Sequence, residues 1–280
     1  MDLELSEEQE LLRDMSARFI ETGCPVTAVR AFGEDARGVS RDYLTQTAEL
    51  GWYALLVDER HGGGQVSESG ISDAAVVAEE RGRLVQPGPF VPTNVVALAV
   101  SEFGSAGQQA DILPGIVGGV QTAAWVSSET AGVSDSGSGV QASMRGDEII
   151  LDGANAMVQD AHIADTLLVT TRGADGPVHV LVPAGAKGST IQPLKSLDLT
   201  RRFSRVVFEG VRVPATSVVG TRKEARRIYD RLLDVASVLT VAESVGAMGY
   251  LLDMTVEYSK DRRAFGRPIG SFQAIKHLLA

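Results

Sequence analysis

The N-terminal part of the chain repeats apolar side chains at the spacing of an α-helix. Ser6 and Gln9 form an S-x-x-Q sequence, in which the serine hydroxyl and the glutamine amide cap free backbone N–H groups at a helix start. The apolar residues that follow share one helix face and are Leu11, Leu12, Met15, Phe19 and Ile20. Further helices are predicted over residues 42–50, 72–84 and 93–103.

From about residue 123 the pattern changes to short β-branched and aliphatic runs separated by Gly-Asp, Asp-Gly and Gly-Pro pairs. Such runs at close spacing are typical of strands in a small barrel or sandwich. They occupy residues 124–126, 148–151, 166–169, 178–182, 205–208 and 211–213.

After Gly220 the helical pattern returns. Residues 223–261 contain no proline and could form one helix of about 55 Å, at about 1.5 Å per residue. Its apolar positions cover more than one stripe, which is typical of a helix inside a bundle. A further helix is predicted over residues 271–280. It is still apolar at its end, so we expect more chain there or docking onto a partner.

The order of helices, strands and helices predicts an α+β protein with segregated layers. The absence of an alternating βαβ pattern argues against a Rossmann domain. We expect an N-terminal helical domain over residues 1–122 and a middle β-domain, barrel or sandwich, over 123–220. Residues 221–280 would begin a C-terminal helical bundle that is incomplete in this chain.

Composition narrows the functional classes. The net charge of −10 argues against a nucleic-acid partner, because binding to phosphate backbones requires clustered Lys and Arg. Cys24 is the only cysteine, which excludes a disulfide framework, and the four histidines have no metal-like spacing, so no metal site is predicted. We expect no apolar stretch near the roughly 20 residues needed to span a bilayer. The acidic start is unlike a signal peptide, so we expect a cytoplasmic protein without a membrane partner.

The segment from Tyr258 to Gln273, YSKDRRAFGRPIGSFQ, closely resembles the signature of the acyl-CoA dehydrogenases. That signature reads Tyr, three residues, Arg, two residues, Phe-Gly, then Pro-Ile and Phe-Gln. Other stretches resemble the family in the same order: Glu49-Leu50-Gly51, His61-Gly62-Gly63, Glu79-Glu80-Arg81-Gly82-Arg83 and Asp198-Leu199-Thr200-Arg201-Arg202. The resemblance implies an N-terminal helical domain, a middle β-barrel and a C-terminal four-helix bundle.

The resemblance also implies a chemistry. In this family a glutamate removes the α-proton of an acyl-CoA thioester while the β-hydrogen leaves as hydride to the flavin of FAD. One family position for this base corresponds to Ala236, which cannot abstract a proton, and the other lies beyond Ala280. Glu243 lies seven residues after Ala236, on nearly the same helix face, and is a candidate base. The alternative is a buried carboxylate that is hydrogen-bonded within the bundle.

Two groups of residues correspond to flavin contacts of the family. Arg262, Phe265 and Gln273 match positions that reach across a dimer interface to a neighbour's FAD, with Arg262 on the diphosphate and Gln273 on the adenosine side. Ser128 and Ser134 match hydroxyl-bearing positions of the family's own flavin loop. That loop has lost its proline, and the Trp-x-Thr that flanks the flavin has become Met-Val-Gln at 157–159. The alternative is a Gly/Ser-rich surface loop.

The resemblance therefore predicts an FAD-dependent acyl-CoA dehydrogenase subunit of fatty-acyl or steroid-acyl catabolism. Since the base position holds Ala236, we favour the base-lacking partner in a heteromer of two related subunits. The expected partners are an acyl-CoA substrate, a homologous acyl-CoA dehydrogenase subunit in a hetero- or homotetramer, and electron-transfer flavoprotein or a similar acceptor. The alternatives are a structural or regulatory subunit that binds neither flavin nor substrate, and an acyl-CoA oxidase.

Overall fold

The computed structural model describes residues 4–127, 139–171 and 177–280. The predicted capping box is present, because the Ser6 hydroxyl accepts from Gln9 N and Ser6 N donates to Gln9 Oε1, both at 3.2 Å. The N-terminal region contains α1 Glu7–Gly23, α2 Val26–Glu34, α3 Arg41–Glu49, α4 Gly70–Arg83, α5 Phe90–Phe103 and α6 Ala106–Val117.

Two of these helices, α2 and α6, lie outside the predicted set. Pro25 occupies the N-cap position of α2 and Pro114 lies inside α6, so a pattern that treats proline as a break passes over both. A signal for α6 was nevertheless available. Ser105 and Gln108 repeat the capping-box sequence and make both of its hydrogen bonds.

The β-region contains two four-stranded sheets that share one apolar core. In the first sheet β1 pairs parallel to β4, and the remaining pairs of both sheets are antiparallel. The first sheet has the order β1 Ala123–Ser127, β4 Thr166–Thr171, β5 Val178–Pro183 and β8 Val218–Val219. The second has the order β2 Gly139–Arg145, β3 Glu148–Gln159, β7 Phe203–Pro214 and β6 Ser189–Pro193.

The C-terminal region is dominated by α7 Ala225–Asp261, a single helix of 37 residues. A short hairpin connects it to α8 Gln273–Leu279. The two strands of the hairpin, β9 Arg263–Ala264 and β10 Arg267–Pro268, have two residues each. α7 crosses α4 closely at two glycines: a Cβ on Gly82 would overlap the backbone of Glu243, and a Cβ on Gly246 would overlap that of Glu79. The order of helical, β and helical parts confirms the α+β prediction.

One prediction from composition was wrong. Within the described residues, α7 is long and apolar enough to cross a membrane, judged by length and composition only. The charged residues of α7 lie towards its two ends, and Glu243 is the only one between Asp234 and Asp253.

Candidate functional site

The connection between α7 and α8 is a tight hairpin. The pairs Ala264 with Arg267 and Arg263 with Pro268 form its ladder. Ile269 N donates to Arg262 O at 2.8 Å and extends the pairing to Arg262, the C-cap residue of α7. The two turn residues both have positive φ, 52° at Phe265 and 80° at Gly266, which is the requirement of a type I′ turn.

Phe265 is an outlier in both conformation and exposure. A bulky residue in the left-handed region costs about 1–3 kcal/mol, and such strain concentrates at functional positions. The Phe265 side chain recovers little of this cost by burial, since the residue is 95% exposed. Its ring makes an edge contact with Phe272, at 6.1 Å between centroids. The hairpin therefore presents an aromatic ring outward.

The structure brings the other two predicted contacts to the same connection. Arg262 follows the last residue of α7 and is exposed, and its guanidinium group has no ion pair or hydrogen bond in the part of the chain that the structure describes. Gln273 is the first residue of α8, with Nε2 3.1 Å from His277 Nε2. An unpaired guanidinium, an outward aromatic ring and an exposed amide are suited to contact a dinucleotide bound from outside the chain.

The two flavin contacts predicted in the β-domain, Ser128 and Ser134, both lie outside the described residues. Next to them, Asn155 Nδ2 donates to Ser127 O at the end of β1. Gln159 Nε2 donates to the carboxyl of the following residue, Asp160, at 3.2 Å. The amide at the family's flavin-flanking threonine position is therefore engaged within the β-domain.

The base position and its candidate replacement have different surroundings. Ala236 is half-buried against the helical core and offers no proton acceptor. Glu243 is 4% exposed, and both of its carboxylate oxygens are paired: Oε1 with Arg81 Nε at 3.4 Å, and Oε2 with Arg201 Nη2. A carboxylate held by two guanidinium groups is suited to a structural ion pair, so the geometry favours the structural alternative for Glu243.

Arg81 is the residue that sequence reasoning missed at this ion pair. Its side chain is fully buried, and the guanidinium carbon lies 5.2 Å from the ring centroid of Trp52 and 4.7 Å from that of Phe90. The guanidinium also donates to Tyr43 Oη at 3.0 Å and to Pro87 O at 3.1 Å. One signal was available, because an arginine replaces the leucine of the family's Glu-Glu-Leu-Gly-Arg stretch.

Asp160 lies near the ion pairs of Glu243 with Arg81 and Arg201. Its backbone is left-handed, at φ 53°. Burial raises the pKa of its carboxyl to about 6, while the Gln159 amide and the charges of Arg201 and Arg81 oppose that rise. A raised pKa means that the folded chain holds this proton more tightly than the unfolded chain. The stabilisation from Asp160 is therefore present at low pH and lost as the pH rises through about 6.

We predict that Asp160→Asn increases the free energy of unfolding by about 1–3 kcal/mol at about pH 8, because the amide avoids the cost of a buried charge. Near pH 3, below the ordinary pKa of an aspartate, the carboxyl is protonated in both the folded and the unfolded chain, so the two proteins should be almost equally stable. Urea unfolding at the two pH values measures both differences. A loss of stability at both values would contradict the prediction.

Comparison with known proteins places the fold in a family. Residues 6–120 match the acyl-CoA dehydrogenase N-terminal domain and residues 226–280 match the acyl-CoA dehydrogenase C-terminal domain. The acyl-CoA dehydrogenase IpdE2 of Mycolicibacterium smegmatis is 31% identical, over 99% of this chain and 72% of that protein. IpdE2 of Mycobacterium tuberculosis is 29% identical, over 98% of this chain and 70% of that protein.

Two solved assemblies show the same architecture. The structure titled Tcur3481-Tcur3483 steroid ACAD G363A variant has a TM-score of 0.85 and 30% identity, covering 98% of this chain and 72% of that chain. The ChsE4-ChsE5 complex from Mycobacterium tuberculosis has a TM-score of 0.88 and 25% identity, covering 100% of this chain and 74% of that chain.

Proposed function

Because this chain belongs to the acyl-CoA dehydrogenase family, we propose that it is one subunit of a heteromeric, FAD-dependent acyl-CoA dehydrogenase. Residues of this chain then contact the FAD that a homologous subunit binds, and they form one side of that flavin site. The observation that carries the proposal is the grouping of Arg262, Phe265 and Gln273 on one exposed connection. The strained and exposed Phe265 is hard to explain in a chain that makes no outside contact there.

The three residues supply contacts of different kinds to the dinucleotide. The planar guanidinium of Arg262 would hold the diphosphate, for which its fixed fork of N–H donors is suited. Phe265 would pack its ring against the cofactor, and the Gln273 amide would hydrogen-bond to the adenosine side. When bound, FAD supplies the hydride acceptor for the β-carbon of the acyl-CoA.

The residues near the family's base position support a catalytic base supplied by the other subunit. Ala236 has no proton acceptor, and the Ser237 hydroxyl donates back to Leu233 O at 2.7 Å. Glu243 is held by Arg81 and Arg201. Deprotonation of the α-carbon requires a free carboxylate within reach, so we propose that the homologous subunit provides it. The paired names in the two solved assemblies favour a partner of this kind.

The outer face of α7 supports burial against another helical domain. Many of its apolar side chains are exposed, and several large apolar side chains exposed on one helix are typical of an interaction site. They are Leu233 at 44%, Val241 at 61%, Val245 at 44%, Met248 at 61%, Leu251 at 56%, Leu252 at 49% and Met254 at 52%.

The remaining features of the proposal are the substrate, the electron acceptor and the location. The substrate is an acyl-CoA, and a steroid-derived acyl group is favoured by the similarity to a steroid ACAD assembly. We propose electron-transfer flavoprotein or a similar acceptor and a cytoplasmic location. Reduction of purified electron-transfer flavoprotein by the assembled enzyme, and fractionation of the source cells, test these two points.

The heteromer is tested by purifying the chain alone and together with a homologous acyl-CoA dehydrogenase subunit from the same organism. We expect flavin absorbance in the mixture and little in the isolated chain, because the edge residues meet FAD only in the assembly. Flavin bound by the isolated chain would instead favour self-sufficiency. If both samples are colourless and the two subunits of the mixture co-elute in size-exclusion chromatography, the chain is a structural subunit and the dehydrogenase proposal is contradicted.

A further inference from the structure

The hairpin between α7 and α8 carries several arginines, and the family resemblance assigns a role to Arg262 alone among them. Arg262, Arg263 and Arg267 lie within six residues and all are exposed. None of the three has an ion pair or a side-chain hydrogen bond in the described part of the chain. In a chain of net charge −10, three uncompensated guanidinium groups on one hairpin point to an anionic ligand or partner.

Strand alternation separates these arginines into two faces. Arg267 pairs with Ala264, and the pairing continues to Ile269 opposite Arg262. Side chains two residues apart on a strand share a face, so Arg262 shares the face of Ala264 and therefore of Arg267. Such diagonal neighbours are about 7–8 Å apart, within reach of long side chains. Arg263 lies on the opposite face.

The Arg267 side chain makes a cation–π contact. Its guanidinium carbon lies 4.1 Å from the ring centroid of Phe272, and the Phe265 ring lies nearly perpendicular to that same ring. A guanidinium over a ring face interacts through its charge, so its N–H groups remain available to hydrogen-bond acceptors. The contact thus places a cation beside the outward aromatic ring without using its hydrogen-bond donors.

We propose that Arg262 and Arg267 together form a two-cation site for the diphosphate of the dinucleotide held by the homologous subunit. This inference rests on the proposed function and adds Arg267 as a second diphosphate contact. Two unpaired guanidinium groups on one face repel each other until an anion lies between them. A diphosphate carries two negative charges on adjacent phosphates, so each guanidinium can pair with one of them.

The test uses the assembled wild-type complex and measures the FAD released on dilution by its fluorescence. Arg267→Gln should weaken FAD retention by roughly tenfold, the effect of losing one charge-assisted contact. Arg263→Gln is the matched control, since it removes the same charge from the other face and should retain FAD like the wild type. Size-exclusion chromatography confirms that both variants assemble.

A merely structural role for Arg267 would give a different result. Loss of an ionic contact makes FAD retention less sensitive to salt, whereas a loosened hairpin leaves the salt dependence unchanged. Arg267→Gln with wild-type retention, or with reduced retention and an unaltered salt dependence, would overturn the inference. If Arg262→Lys loses FAD in the same assay, the proposed function stands without Arg267. A colourless wild-type complex would remove both.

Discussion

Replacing Glu243 by alanine is expected to reduce the free energy of unfolding by about 3–5 kcal/mol. This is the usual cost of removing one partner of a buried ion pair. The reason is the position of its partners. Arg81 is fully buried between two aromatic rings, and the Arg201 side chain is 25% exposed. Without the carboxylate, the charge of Arg81 stays inside the helical core, and within the described residues its remaining hydrogen bonds go to the Tyr43 hydroxyl and to backbone carbonyls.

Urea unfolding of the two proteins measures this loss. Glu257→Ala is a matched control on the same helix: Glu257 pairs with Lys260 at the surface, with both side chains more than half exposed. Such a pair contributes about 0–1 kcal/mol, so the control should unfold close to the wild type. Equal stability of Glu243→Ala and Glu257→Ala would show that the buried pair does not stabilise the fold.

A double substitution distinguishes the net stabilisation by the ion pair from the free-energy cost of a buried charge that has lost its partner. Arg81→Met together with Glu243→Leu removes both charges and leaves apolar side chains of comparable length. Replacing a buried pair in this way is often neutral or stabilising. We therefore expect the double variant to be more stable than Glu243→Ala.

Replacing Arg262 by lysine is expected to weaken FAD retention in the heteromer by roughly 10- to 100-fold. Hydrogen bonds to charged groups contribute about 1.5–3 kcal/mol, and lysine keeps the charge but loses the planar pair of donors. The side chain is exposed and unpaired within the chain, so the free energy of unfolding should change by less than about 0.5 kcal/mol.

Release of flavin on dilution measures the effect, and Arg263→Lys on the neighbouring position controls for the substitution itself. Retention should fall for Arg262→Lys only. Unchanged flavin occupancy across a dilution series would refute the assignment of Arg262 to the diphosphate. A loss shared by both variants would point to a general weakening of the assembly.

Local pattern was sufficient for most of the secondary structure. The capping box at Ser6 and the apolar spacing after it predicted α1, because both depend on residues within two helix turns. The proline-free stretch after Gly220 predicted α7 for the same reason. The two helices that the pattern missed, α2 and α6, begin after or contain a proline, where local signals conflict.

The sequence by itself determined the element types, the order of layers and, through the segment from Tyr258 to Gln273, the family. These depend on periodicity and on residues close together in the chain. Only the tertiary structure decided the roles of single side chains. Glu243 could be a base or a buried ion until its partners were known, and they lie 162 and 42 residues away. Desolvation and charge pairing depend on which atoms surround a group, and that neighbourhood exists only once distant elements pack together.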